Sequence, residues 1–136
     1  LSDYFQWDAA KLGLKIPEMD EEHKVLIGYM NSLHDLHERK AHPSDQLHAL
    51  DQLASYTAKH FADEEAYMEK VGFPGLRIHR AVHRQLLERL EGFRADARRN
   101  RALPEDIFVF FKMWLSAHIC GVDTKYAQHA LARRAG

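Results

Sequence analysis

Four well-separated stretches of this chain carry histidine, or histidine with a carboxylate, at spacings that helices would gather into one interior. They are His23, His60-x-x-x-Glu64, His79-x-x-x-His83 and His118-x-x-x-x-Asp123. Residues four apart on a helix share a face, with a rise of roughly 6 Å between them. Two imidazoles placed in this way can chelate one metal ion. Four helices that each contribute ligands to one interior are how bundles build dinuclear sites. The ten histidines among 136 residues are many for an ordinary soluble domain, so few folds accommodate this chain other than a bundle with a polar centre.

The apolar residues predict the helices. Residues 1–19, with Phe5, Trp7, Leu12, Leu14 and Ile16 between polar residues, read as an extended arm lying on the domain, with Trp7 as its anchor. Asp20-Glu21-Glu22 suits a helix N-terminus. Leu26, Ile27, Met30, Leu33 and Leu36 give that helix its buried stripe, up to Ala41-His42-Pro43. Pro43 fits the start of a second helix, which runs through Leu47, Leu50, Leu53, Tyr56, Phe61 and Met68. After the break at Gly72-Phe73-Pro74-Gly75, a third helix runs through Ile78, Val82, Leu86, Leu87, Leu90 and Phe93 and ends at Asn100. Pro104-Glu105-Asp106 opens a fourth, with Ile107, Phe108, Phe111, Trp114 and Leu115 inside. Gly121 is expected to end it, and Asp123 to cap a short tail helix containing Tyr126 and Leu131. The expectation is one all-α domain. It comprises an up-down-up-down four-helix bundle (20–121), an N-terminal extended arm (1–19) and a short C-terminal helix (122–136).

Charge and cysteine usage exclude several function classes. A net charge of -1 provides no basic field to hold nucleic acid or an anionic membrane. The arginines from Arg94 to Arg101 read as helix-end charges. The longest apolar stretch, Ile107 to Leu115, is interrupted by Lys112 and is too short to span a bilayer. A lone Cys120 forms no internal disulfide, which fits a cytoplasmic setting. The chain opens at Leu1 rather than Met, which suggests a domain cut from a longer protein.

Any one of these pairs, taken alone, is ordinarily a solvated or core-filling histidine. The combination reads differently, because every predicted helix or its edge supplies a ligand type. His118 and Asp123 are five apart, a poor fit to one helical face, and a break at Gly121 would let Asp123 fold back. Seven ligands exceed what one four-coordinate zinc needs. They suit two six-coordinate ions bridged by carboxylates, and the imidazole–carboxylate mixture favours iron among redox metals. Imidazole outnumbers carboxylate, so little anionic charge is available to stabilise high-valent iron. Reversible diferrous–diferric chemistry is therefore expected over oxygen cleavage. His34, His37, His42 and His48 read as solvated positions, His129 as exposed, and Cys120 as a small buried filler. Glu65 reads as a surface charge or an acceptor behind a ligand.

The ordered set His23, His60-Phe61-x-x-Glu64-Glu65, His79-x-x-x-His83 and Trp114-Leu115-x-x-His118-Ile119-x-x-x-Asp123 resembles the hemerythrin family in its bacterial form, from Trp7 to Tyr126. The resemblance implies that His79, His83 and His118 hold one iron and His23 and His60 the other. Glu64 and Asp123 would bridge the two, together with an oxo or hydroxo group. It implies dioxygen bound at the diferrous centre as hydroperoxide, in an apolar pocket of Leu26, Phe61, Trp114, Leu115 and Ile119, with Tyr126 as a donor behind the ligands. The implied uses are oxygen storage and delivery, or oxygen and redox sensing through a covalently linked signalling domain. Two rival readings are a di-iron enzyme acting on peroxide or nitric oxide, and a metal-free helical interaction module. The enzyme would need a positioned acid or base near the open iron. The module would leave the seven clustered polar groups without partners.

Overall fold

The computed structural model describes residues 4–135. Among them there are helices and no strands. A single turn, α1 (Ala9–Leu12), precedes three long helices, α2 (Pro17–Glu38), α3 (Pro43–Lys70) and α4 (Leu76–Asn100). A fourth rod follows: α5 (Ile107–His118), a π-helical turn (Ile119–Asp123) and α6 (Thr124–Ala135). The result is a four-helix, up-down-up-down bundle with short connections. Its core runs from Ile16, Met30 and Leu33 through Leu53, Phe61 and Met68 to Ile107 and Phe111.

Local chemistry sets the helix ends. Pro17 and Pro43 occupy first-turn positions, where the missing N–H removes a donor that had no partner. His42 caps α3, its Nδ1 accepting from the Ser44 N–H at 3.1 Å. Gly72 follows α3 at φ +67, a left-handed conformation that glycine adopts without strain.

Several sequence expectations need correction. The first long helix begins at Pro17 rather than Asp20. Asp20 instead accepts from the Leu14 N–H at 2.8 Å and ties the arm down. The arm is not wholly extended, because α1 interrupts it. Phe5, Leu12, Leu14 and Ile16 anchor it by burial, whereas Trp7 is only half-buried beneath Lys24. Asn31 clips both backbone groups of Phe5 at 2.8 Å. Ile78, which the sequence counted among the apolar residues of α4, is 74% exposed. It lies on the outer side of the helix, one residue from the buried His79.

The largest departure is at Gly121, which does not end the fourth helix. The rod continues through the π turn, where the Thr124 N–H donates to the Ile119 carbonyl five residues back. By length and composition the span Ile107–Arg134 could cross a bilayer, contrary to the sequence expectation. Its inner face is packed in the bundle and carries His118 and Asp123, as a core helix would.

Candidate metal centre

Each bundle helix delivers its share to the centre. His23 comes from α2, His60 and Glu64 from α3, His79 and His83 from α4, His118 from the end of α5, and Asp123 from the π turn. All seven are buried, none more than 6% exposed. The π turn explains how a spacing of five works. On an α-helix, five residues would rotate Asp123 roughly 140° away from His118. The wider turn brings it back, and Asp123 Oδ1 lies 3.0 Å from His118 Nε2. Asp123 therefore does not cap the tail helix, as the sequence suggested, but points inward.

The cluster divides into two sets of atoms that could each hold an ion. One comprises Glu64, His79, His83, His118 and Asp123, and the other His23, His60 and Glu64. Glu64 belongs to both. Its Oε1 is 3.3 Å from His60 Nε2 and 3.2 Å from His83 Nε2, and its Oε2 is 3.4 Å from His23 Nε2. Asp123 spans the sets as well, with Oδ1 3.0 Å from His79 Nε2 and Oδ2 3.3 Å from His23 Nε2.

Two imidazoles have their tautomers fixed from behind. His60 Nδ1 donates to Glu22 Oε1 at 2.8 Å and His83 Nδ1 to Glu65 Oε2 at 2.9 Å. In the neutral rings both Nε2 atoms are then bare lone pairs turned inward. His83 Nε2 lies only 3.2 Å from His118 Nε2. His23 Nε2, His79 Nε2, Glu64 Oε1 and both Asp123 oxygens find no well-formed hydrogen bond among the described residues. Convergent lone pairs buried without donors are costly, and cations between them would relieve that cost. The donor set of five imidazoles and two carboxylates fits metal ions.

Electrostatics in the metal-free chain point the same way. Burial disfavours a charged His60, but the Glu64 carboxylate and the Glu22 hydrogen bond outweigh it and lift the imidazole to about 10. Burial also works against His23, and Asp123 and Glu64 raise it nonetheless. Burial and the Glu64 charge oppose ionisation of Asp123, yet His118 and His23 hold it down at about 2. Without metal, protons supply the positive charge these carboxylates require.

The surrounding side chains hold the ligands in place. Tyr126, buried on α6, donates to Glu64 Oε2 at 2.6 Å. The Phe61 ring stacks on His83 at 3.8 Å, nearly parallel. His129 and Arg133 latch α6 to the C-terminus of α3, donating to the Val71 carbonyl at 3.1 and 2.6 Å. His129 is thus half-buried rather than exposed, as the sequence suggested. Leu26, Phe61, Trp114, Leu115 and Ile119 line one small cavity of about 10 Å³ together with His23, His60 and His118.

The remaining candidates lie elsewhere. His34 stacks on Tyr4 at 4.2 Å and is half-buried, His37 meets Phe108, His42 is a helix cap and His48 is exposed. Cys120 is exposed rather than a buried filler, and its thiol faces the Lys11 carbonyl at 3.2 Å. Two residues past the inward-facing His118, it lies on the opposite side of the rod. Sequence reasoning missed Glu22, which reads as a helix N-terminal acid and nothing more. Its place directly before His23, beside that ligand's face of the helix, is the available signal.

Comparison with known proteins agrees with this geometry. The family model described as the hemerythrin HHE cation binding domain matches residues 14–130. A hemerythrin subunit of Sipunculus nudus is 33% identical over 124 residues, covering 91% of this chain and 92% of that protein. Bacteriohemerythrin of Methylococcus capsulatus is 31% identical over 125 residues, covering 88% and 92%. A crystal structure of wild-type hemerythrin superposes with a TM-score of 0.85 at 29% identity, covering 93% of this chain and 98% of that one.

Proposed function

Because the chain belongs to the hemerythrin family, we propose that it binds dioxygen reversibly at a pair of iron ions held by the seven clustered residues. His79, His83 and His118 are assigned to one iron and His23 and His60 to the other. Glu64 and Asp123, whose oxygens face residues of both sets, would be shared between the two ions. The observation that carries this reading is the division of the cluster into two ligand sets that share Glu64. Iron, when bound, supplies two reducing equivalents and an open coordination position for dioxygen.

The chain's own groups determine what becomes of the ligand. Tyr126 fixes the Glu64 carboxylate through its hydroxyl. The cavity beside His23 and His60 is lined mainly by apolar side chains, which keep bulk water from the reacting face. The five assigned pocket residues carry one polar atom, the Trp114 indole nitrogen, which is buried and has no hydrogen-bond partner among the described residues. An indole N–H is not an acid in the working pH range. These five side chains thus offer no positioned proton donor of the kind that turnover of peroxide would use, which supports binding over catalysis. The same chemistry serves storage and delivery in a free chain, and oxygen or redox sensing in a chain joined to a signalling domain.

Two iron ions per chain, counted after anaerobic reconstitution with ferrous salt, are the expected stoichiometry. A count that saturates at one would remove the dinuclear assignment. Leu115→Ala should enlarge the cavity, admit water and accelerate autoxidation. Autoxidation at the parent rate would take Leu115 out of the pocket. The truncation should also cost about 2–5 kcal/mol of stability, as buried leucines do.

A further inference from the structure

Two of the five clustered imidazoles are backed by a carboxylate, and the charges of those carboxylates are met to different extents. Each contact crosses between helices, Glu22 of α2 to His60 of α3 and Glu65 of α3 to His83 of α4, at 2.8 and 2.9 Å. On its outer side Glu65 accepts directly from Arg80 Nε at 3.1 Å. Among the described residues the cation nearest Glu22 is Lys59 at 3.9 Å, and that ammonium sits closer to Asp63, at 2.7 Å, whose carboxylate also adjoins Glu22. The guanidinium therefore neutralises much of the Glu65 charge, while Asp63 takes most of what Lys59 offers. Both carboxylates are largely shielded, Glu22 at 18% and Glu65 at 24% exposure, so their charges act through a poorly screened environment.

An anionic acceptor on Nδ1–H draws the proton outward and makes Nε2 a stronger donor to a metal. The less its charge is compensated, the stronger the effect. Electron-rich ligands favour the ferric state and so lower the reduction potential. We propose that Glu22 and Glu65 are positioning residues that tune the two halves of the metal pair unequally, Glu22 more strongly through His60, and that Arg80 limits the donation of Glu65 through His83. This inference rests on the iron-pair reading above.

The test is a mediated redox titration of the iron-loaded full chain, with iron counted for every variant. Glu22→Gln should raise the potential and weaken iron retention on the order of tenfold. Glu65→Gln should raise the potential by a smaller amount. Arg80→Ala should shift it the opposite way, and Arg80→Lys should recover part of the parent value. Arg80 is 47% exposed, so its variants fold and decide the matter even if Glu22→Gln does not. Two irons per chain with unchanged potentials in Glu22→Gln and Arg80→Ala would overturn the inference while leaving the iron pair standing. Equal shifts for the two glutamine variants would overturn the inequality. A parent chain that takes up no iron would sink the underlying reading, and the iron count would reveal it before any potential is measured.

Discussion

Glu64→Ala is expected to strip the chain of both metal ions, whereas His23→Ala should leave one. Glu64 stands in both ligand sets, and it is fully buried. Its oxygens face His23, His60 and His83 on three different helices. Truncation removes a ligand from each ion at once and opens the bridge. His23 belongs to one set only, so the five-membered set should survive its loss. Losing the carboxylate also leaves the Tyr126 hydroxyl buried without its acceptor, at a cost of about 1–3 kcal/mol. Iron content per chain checks the prediction, with the helical circular dichroism signal as a folding control. Retention of two irons in a folded Glu64→Ala chain would remove Glu64 from the bridge.

The second large effect is on stability. Metal that binds only the folded state stabilises it by mass action, about 4 kcal/mol per site at a thousandfold excess over Kd. Two sites should therefore raise the melting temperature by more than about 10 °C. The gap between loaded and stripped chains should also depend on pH. In the stripped chain the His60 imidazole, raised to about 10, pairs with Glu64 and Glu22. A raised histidine contributes stability that is fully present below its unfolded value near 6.5 and is lost as pH rises through the folded value. The stripped chain should lose melting temperature between those limits. The loaded chain should not, because a metal takes the place of the proton. The difference widens toward alkaline pH. Calorimetry of both forms from pH 6 to 10 reads it directly, and parallel curves would contradict the assigned role of His60.

Much of this was legible from residue spacing. Pairs four apart, at His60 and Glu64 and at His79 and His83, declare a shared face regardless of context, and the proline at 43 marks a helix start on local grounds. Asp123 was harder. Its spacing of five from His118 suggested a break at Gly121, because a π turn is a departure from α geometry that the side chains on either side do not announce. His129 departs from expectation because its burial depends on the end of α3 reaching it, a tertiary fact. Glu22 escaped notice because its partner lies 38 residues away, across a helix interface that its own segment cannot show.

Reversible oxygen binding is read most directly from the optical spectrum. The iron-loaded, anaerobically reduced chain is exposed to oxygen and then purged, while its visible absorption is followed over repeated cycles. Two irons per chain are expected, with a charge-transfer band that appears with oxygen and fades on its removal, cycle after cycle. Immediate passage to a stable oxidised spectrum that purging does not reverse would contradict reversible binding.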